Sequence, residues 1–442
     1  MGQRDFDVMV LGATGFTGKY VARDLQSLAR DEPLNWAMAG RSSSKLQETL
    51  AWMGPGKRPP AELVVADASN PQSLQAAVKR THVLINCVGP FRYTGYEVVA
   101  ACIEAGTHYV DISGEPEFVE RILTLFDKAE ERGVSVVPCC GFDCVPADMG
   151  NLFAKTEFEK RGYTATSVEM FIRLTSGPLG ISGNFATYES AVQGLSHAHE
   201  LRALRKKANR AQLPIFGKKT RIQENPRFEK RVSRWCIPFF GADASVVRVG
   251  QQLVERFRTS GTLNRNARTL NTKGVPVPTQ FSAYFCTDSI VGIAGLMFFG
   301  LSMSLLTRFA WGKKLLLAYP KIFSLGTFSK AGPTDAQMAA SGFISTFYVK
   351  GFKKHLSIED SEISAAPDYG MTVVVKGPEP GYVATPISVI LCALAIRNDE
   401  RKNTGNVPRG VLSPAAAFAQ TPLISELNDA GITFSVESES EL

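Results

Sequence analysis

Six short apolar runs alternate with segments of helical pattern in the first part of the chain. The runs lie at residues 7–11, 35–39, 62–66, 82–88, 108–112 and 134–138. Parallel strands joined by crossover helices produce this alternation, because each strand is buried on both faces and each crossover requires a helix. Asn70-Pro71 and Glu115-Pro116 add helix-start signals between the runs. The pattern predicts an α/β fold with a doubly wound parallel sheet.

A glycine-rich turn directly follows the first apolar run. Its residues are Gly12, Ala13, Thr14, Gly15, Phe16, Thr17 and Gly18. In a dinucleotide site the first glycine makes a tight turn, the second lets a pyrophosphate approach, and the third lets the helix pack on the strand. The unpaired N–H groups of the helix N-terminus then face the anion. The motif predicts an N-terminal Rossmann domain that binds a dinucleotide, with a plain glycine turn as the alternative.

A cation follows the second run, at a place where NAD-binding folds usually carry Asp or Glu. The sequence there reads Ala39-Gly40-Arg41-Ser42. A guanidinium favours the 2′-phosphate of NADP, so Arg41 and Ser42 are predicted to select NADPH over NADH. The alternative is an arginine that is simply exposed at a strand end. Asp67, after the third run, is expected either to accept from the adenine amine or to cap a helix.

The fourth run ends in Val88, Gly89 and Pro90, where the chain of such a sheet passes the nicotinamide side of the crevice. These three residues are predicted to contact the cofactor. Hydride transfer also needs a proton donor near the reacting atom. Tyr93 and Asp143 are the predicted catalytic residues, and packing is the alternative role for Tyr93.

Three further polar residues follow the fifth run, namely Asp111, Ser113 and Glu115. Glu115 precedes a proline, so its alternative role is to charge a helix N-terminus. Cys144, beside Asp143, is interpreted as a small core residue rather than a nucleophile.

The chain of 442 residues is long enough for more than one domain, and its 44% apolar and 21% charged residues exclude disorder. The predicted division is a dinucleotide-binding domain at 1–148, an α+β domain at 149–288, an apolar lipid-associating segment at 289–319, and a part at 320–442 that packs back on the core. Eight cysteines without a CxxC pair, and the charged start MGQRDFDVMV, predict a reduced, cytosol-facing protein. No metal is expected, because His197 and His199 lack partners at ligand spacing.

Seven motifs occur in order over nearly the whole chain: GATGFTG, AGRSSSKL, NCVGPFRYTG, CIEAGTHYVDISGEPEF, GFDCVPADMG, FSKAGPT and KGPEPGYVATP. Together they resemble the saccharopine dehydrogenase-like oxidoreductases, and the later ones resemble the animal form of that family.

The resemblance implies a Rossmann domain with a discontinuous α+β domain, a nicotinamide cofactor, and a relationship to saccharopine reductases and to bacterial trans-acting enoyl reductases of lipid synthesis. For the animal form it also implies membrane or lipid-droplet association. The arginines that bind the lysine backbone in saccharopine reductases do not map onto this chain, which argues against saccharopine as the substrate.

Residues 289–307 form a stretch of nineteen residues without a charge. As a helix it measures about 28 Å, which is close to the thickness of a bilayer core. A spanning helix, a buried core helix and an apolar helix or hairpin in one leaflet all fit. A span would place the family motif GYVATP across the membrane from the first domain, so insertion into one leaflet is favoured. Arg308, Lys313, Lys314 and Lys321 could then reach headgroups.

Segment 202–234 holds twelve Lys or Arg and two Glu, a local charge of +10. It is expected to attract anionic lipid, with a solvated loop as the alternative. Nucleic acid is not an expected partner, because no RNA- or DNA-binding motif accompanies the charge.

These observations predict an NADPH-dependent oxidoreductase that acts on a small apolar or lipid substrate at the cytosolic face of a membrane or on a lipid droplet. A redox-inactive, cofactor-binding scaffold or lipid-surface adaptor is the alternative. A homodimer is compatible with these observations.

Overall fold

The chain forms two compact units that are interleaved along the sequence. The first comprises Met1–Phe142 and Gly381–Leu427 with a short segment that begins at Phe257, and the second comprises Asp143–Arg256, Asn271–Pro380 and Asn428–Leu442. The domain boundaries predicted at residues 148, 288 and 319 stay a prediction. The two units are interleaved along the chain rather than consecutive. The structure, a computed structural model, describes residues 4–28, 33–239, 241–260, 276–357, 360 and 365–442.

The first unit contains a parallel sheet of seven strands, with the order β15-β6-β5-β4-β1-β2-β3. Its strands are β1 (Phe6–Leu11), β2 (Trp36–Gly40), β3 (Glu62–Val65), β4 (Thr81–Asn86), β5 (His108–Asp111), β6 (Ser135–Val137) and β15 (Gly410–Val411). The strand order reverses beside β1, as it does in doubly wound folds. The predicted sheet and its six apolar strands are confirmed.

The second unit contains a mixed sheet, with the order β16-β14-β13-β7-β11-β10-β9. Its strands are β7 (Thr164–Thr175), β9 (Arg227–Glu229), β10 (Arg234–Pro238), β11 (Gln280–Thr287), β13 (Gly342–Phe352), β14 (Tyr369–Pro378) and β16 (Thr433–Glu441). Among the described strands of this sheet, β7 and β11 pair in parallel and the other neighbours pair antiparallel. A small sheet pairs β8 (Gly183–Asn184) with β12 (Phe328–Ser329). The predicted second α+β domain is confirmed.

The helices connect and cover these sheets. In chain order they are α1 (Phe16–Leu28), α2 (Ser43–Met53), α3 (Pro71–Val78), α4 (Phe91–Ala105), α5 (Pro116–Ile122), α6 (Phe126–Glu131), α7 (Val145–Lys160), α8 (Phe185–Ser196), α9 (Ala198–Ala208), α10 (Asp243–Ser260), α11 (Ile290–Leu306), α12 (Ala310–Ala318), α13 (Pro320–Phe323), α14 (Asp335–Ala339), α15 (Thr385–Lys402), α16 (Pro414–Phe418) and α17 (Leu423–Asp429).

Local capping explains where several of these helices begin. The Asn70 side chain accepts from the Ser73 N–H at 3.0 Å, and Pro71 takes the first helical position of α3. A turn of 3-10 helix, Leu123–Leu125, joins α5 to α6, and a π-helical turn, Pro380–Ala384, precedes α15.

Helix α11 shows apolar side chains to solvent. Of its seventeen residues only Ile293 and Met303 are buried. Met303 packs with Tyr188 and Leu316 in one apolar cluster. On the opposite face Val291 is 74% exposed and Leu301 is 69% exposed. A fully buried core helix, one of the three structures considered above, is therefore excluded.

One helix among the described residues, Pro380–Lys402, is long and apolar enough to cross a bilayer. Its apolar window is 78% buried inside the protein. Helix α15, its main part, packs on α1, β4 and β5, so it serves as a core helix of the first unit.

Candidate cofactor and active site

The glycine turn has the geometry of a phosphate-binding loop. Gly12 has a φ of +81°, a left-handed conformation that favours glycine. The Gly15 N–H donates to the Gly12 carbonyl at 2.9 Å, and α1 begins at the next residue. A Cβ built on Gly18 would lie 2.1 Å from the Gly12 oxygen, so only glycine lets the helix approach the strand this closely.

The glycine turn lies against the residues that follow β4, the neighbour of β1 in the sheet. A Cβ on Gly12 would lie 2.8 Å from the Val88 side chain and 3.1 Å from the Cys87 carbonyl carbon. The Val88 N–H donates to the Asn86 side chain at 3.0 Å, which fixes the chain as it leaves β4. The segment Val88-Gly89-Pro90 therefore begins next to the glycine turn. This is where the sequence predicted contacts with the cofactor.

An anion fits this place. Gly15 is exposed, and the first turn of α1 carries no acidic side chain that would repel a phosphate. The first N–H groups of a helix have no intrahelical acceptor and carry partial positive charge. The glycine turn thus forms a cradle that could hold a pyrophosphate. Its residues are Gly12, Ala13, Thr14, Gly15, Phe16, Thr17 and Gly18.

Aromatic rings pack around the first turns of α1, a feature that the sequence analysis missed. The Phe16 ring lies 4.8 Å from that of Tyr382, and the Lys19 ammonium lies 4.4 Å from the centre of the Trp52 ring. Helical spacing within α1 predicts that Phe16 and Lys19 are neighbours. No sequence signal placed Tyr382, which is more than 350 residues away, beside them.

Arg41, after β2, and Asp67, after β3, interact electrostatically. Arg41 is exposed, and Ser42 caps α2 by accepting from the Lys45 N–H at 3.3 Å. The Asp67 carboxylate accepts from the Ser69 N–H and hydroxyl at 2.9 and 2.7 Å. These bonds, with a smaller effect from the nearby Arg41 cation, lower the pKa of Asp67. Asp67 thus stabilises a turn, and its charge complements Arg41.

A buried hydrogen-bond network links the carboxyl ends of three neighbouring strands of the first sheet. Tyr109 donates to Asp111 at 2.8 Å and accepts from Asn86 at 3.1 Å. The other Asp111 oxygen accepts from the Ser113 N–H and hydroxyl and from the Cys139 N–H. Burial raises the pKa of Asp111 despite these bonds. The network ties the ends of β4, β5 and β6 together.

The start of α4 involves both Glu115 and Tyr93. The Glu115 carboxylate accepts from the N–H groups of Phe91 and Arg92, each at 3.0 Å. It therefore caps α4 from 24 residues away, although it also stands at the N-cap position of α5. Tyr93 lies in the first turn of α4 and is 58% exposed, so its ring is accessible to a ligand.

Asp143 begins the second unit, where it lies within electrostatic range of Asp243. Asp243 is buried, and its Oδ2 atom has no hydrogen-bond partner among the described residues. Burial raises the pKa of both carboxyls, and the Asp143 charge raises that of Asp243 further. Cys144 is buried, as expected of a core residue. Within the described part of the chain, no cluster of His, Cys, Asp or Glu could hold a metal ion.

Comparisons with known proteins agree with this geometry. Residues 8–137 match the family model of the saccharopine dehydrogenase NADP binding domain. A saccharopine dehydrogenase-like oxidoreductase of Rattus norvegicus is 38% identical over 100% of this chain and 99% of its own length. The lipid droplet localized protein of Caenorhabditis elegans is 34% identical over 99% of each chain.

A solved structure shares the fold at low sequence identity. It is the apo saccharopine dehydrogenase (L-Glu forming) of Saccharomyces cerevisiae, with a TM-score of 0.55 and 12% identity over 98% of this chain and 100% of the other. The parallel sheet, the glycine turn and the full-length similarity lead to one conclusion. The chain belongs to the saccharopine dehydrogenase-like oxidoreductase family, with a nicotinamide-nucleotide-binding domain at its N-terminus.

Proposed function

We propose that the protein is an NADPH-dependent oxidoreductase that acts on an apolar, lipid-like substrate at a membrane or lipid-droplet surface. The observation that carries the proposal is the glycine turn with Arg41 exposed after the neighbouring strand. The turn provides N–H groups for a pyrophosphate, and the guanidinium provides a partner for one further phosphate.

The coenzyme preference depends on Arg41 in this proposal. Replacing Arg41 with alanine should weaken NADPH binding about 10- to 100-fold, because a hydrogen bond to a charged group contributes about 1.5–3 kcal/mol. NADH, which has no 2′-phosphate, should bind almost unchanged. Calorimetric titration of both coenzymes measures the difference.

Lys79→Ala is the matched control. Lys79 is an exposed cation at the far end of α3, so its loss removes the same charge without changing the crevice. Equal weakening of NADPH and NADH by Arg41→Ala would remove the 2′-phosphate role.

Tyr93 is the proposed proton donor. When bound, the nicotinamide coenzyme supplies a hydride, and the atom that gains negative charge needs a proton. The exposed phenol of Tyr93, in the turn that follows Pro90, is available to supply it. Asp143 is a second proposed donor on chemical grounds, because a carboxyl with a raised pKa keeps its proton to higher pH.

Tyr93→Phe should lower kcat about 100-fold, in the range of general acid catalysis, and leave the Kd for NADPH unchanged. The assay is NADPH oxidation with a lipid extract. Tyr96→Phe, one turn further along α4, is the control and should keep full activity. Unchanged turnover in Tyr93→Phe would exclude this tyrosine as the donor.

The two donors predict different pH profiles. If Asp143 donates, activity persists below its raised pKa and falls as the pH rises through it, and Asp143→Asn removes that fall. If Tyr93 alone donates, Asp143→Asn leaves the profile unchanged.

The lipid surface is proposed from α11 and its surroundings. Exposed apolar side chains such as Val291, Leu301 and Trp311 lie in the same segment as the exposed cations Arg308 and Lys314. An apolar face with flanking basic residues suits an interface, because the side chains enter the acyl region while the cations stay at the headgroups. The relative named lipid droplet localized protein supports this location.

The basic segment 202–234 adds to this proposal. None of the residues of α9 is buried, and its last turn carries Arg205, Lys206 and Lys207. Basic residues near an anionic lipid surface contribute about 1 kcal/mol each. An apolar, membrane-dissolved substrate rather than saccharopine follows from this location.

A redox-inactive scaffold is the alternative outcome. Such a protein binds NADPH but does not oxidise it with any lipid fraction. Absence of turnover with retained NADPH binding would select this alternative over the enzyme.

A further inference from the structure

Two cysteines face each other across neighbouring strands of the second sheet. Cys236 in β10 and Cys286 in β11 are direct partners in the antiparallel ladder. Directly opposite residues have Cα atoms about 4.5–5.5 Å apart, inside the range that a disulfide requires. Their sulfur atoms lie 2.9 Å apart, with both thiols free.

The surroundings of the pair combine apolar rings with guanidinium groups. Both cysteines are buried in a cluster with Phe171 and Tyr284. The Arg227 guanidinium lies 4.5 Å from the centre of the Tyr284 ring, and that of Arg231 lies 5.1 Å from the centre of the Phe171 ring. Cations beside thiols favour the reactive thiolate.

The hydrogen bond between the two thiols shifts their pKa values in opposite directions, down for Cys236 and up for Cys286. For Cys236 this hydrogen bond outweighs burial, which raises the pKa, and the Arg227 and Arg231 cations add to the lowering. The Glu229 carboxylate acts in the opposite direction, and it is itself paired with Arg231 at 2.9 Å and Arg227 at 3.4 Å.

A cavity adjoins the pair on the Cys286 side. Cys286 lines a cavity of about 220 Å³ together with Arg173, Arg231, Thr346 and Tyr348. This volume is several times that of a water molecule, so hydrogen peroxide fits. The cavity and the paired sulfurs lie in the same compact unit.

We propose that Cys236 and Cys286 form a reversible redox pair that closes to a cross-strand disulfide. One thiolate attacks a peroxide oxygen, the O–O bond breaks, and a sulfenic acid and hydroxide form. The second sulfur attacks the sulfenic sulfur, and hydroxide leaves. The two thiol protons convert the two hydroxides to water, so the pair loses two electrons and peroxide becomes two waters. A dithiol reductant reverses the reaction.

The disulfide would fasten the edge of the sheet. Strand β9 is the edge strand, and β10 connects it to β11. A bond between cysteines 50 positions apart closes a long loop of chain. Because closing a long loop restricts the unfolded chain, oxidation should stabilise this unit.

The test uses the full-length protein, reduced and then treated with hydrogen peroxide. Free thiols are alkylated in denaturant before digestion, so that buried thiols react, and the peptides are identified by mass. The expected product is a peptide pair joined through Cys236 and Cys286, lighter by two hydrogen atoms than the two thiol peptides together. It should disappear after treatment with a dithiol, and the Tm of the oxidised protein should be higher by on the order of 5 °C.

Cys102 is the internal control, because burial inside α4 raises the pKa of its thiol. It should stay alkylatable throughout. Cys236→Ser and Cys286→Ser should each lose both the crosslink and the increase in Tm. Free cysteine added to the same tube shows when the peroxide has acted. The proposal is overturned if Cys236 and Cys286 are both still alkylated once that free cysteine is oxidised. It is also overturned if either residue forms its disulfide with a different cysteine. Both of these results are measured on the wild-type protein, so they remain valid even if a serine variant misfolds.

Discussion

Replacing Gly18 with alanine should weaken NADPH binding about 100-fold. The new methyl group would lie 2.1 Å from the Gly12 oxygen and 2.9 Å from its carbonyl carbon, and both are backbone atoms. Relief requires α1 to move away from β1, which displaces the N–H groups that would bind the pyrophosphate. Overpacking of this kind costs about 1–3 kcal/mol, and the upper end corresponds to that loss of affinity.

Gly194→Ala is the matched control for this substitution. Gly194 lies inside α8, and a Cβ there meets no atom within 4 Å. The Gly194→Ala variant should therefore bind NADPH normally, and its Tm should be slightly higher, since glycine weakens a helix interior. Thermal shift and NADPH titration are measured on both variants. Wild-type affinity in Gly18→Ala would show that the turn does not hold the coenzyme.

The double substitution Val291→Asp with Leu301→Asp should reduce binding to lipid vesicles at least 100-fold. Each exposed apolar side chain contributes about 1.5–3 kcal/mol when it leaves water, and each introduced carboxylate adds a penalty in the acyl region. Both positions face solvent on α11, so the fold should be unaffected. Flotation with vesicles that contain anionic lipid measures the change.

Val65→Asp is the control, because Val65 is an exposed apolar residue in the edge strand β3 of the other unit. It should float like the wild-type chain. If the α11 variant also floats like the wild type, the lipid surface must be assigned to another part of the protein.

Burial on both faces made the first sheet predictable. Strand β2 is buried at all five residues and β1 at five of six, so their sequences are nearly continuous apolar runs. Strand β15 has two residues, too few for a periodic signal, and it joins β6 through tertiary contacts. Helix α15 is mostly buried, and the elements that bury it, α1, β4 and β5, are distant from it in the sequence.

The site was predictable where chemistry depends on neighbours in the sequence. The glycine turn and Ser42 act within a few residues, and each has a local signature. Glu115 capping α4 and the Asp143–Asp243 pair depend on partners 24 and 100 positions away. Such contacts follow from the tertiary fold. The sequence motifs therefore identified Glu115 and Asp143 but not the residues that they contact.

We propose above all that the glycine turn and Arg41 bind a nicotinamide dinucleotide with a 2′-phosphate. Calorimetric titration of the purified full-length protein with NADPH and NADH tests it most directly. We expect one NADPH site, with a Kd at least about 10-fold below that for NADH. A tighter complex with NADH, or no heat of binding from either nucleotide in folded protein, would contradict the claim.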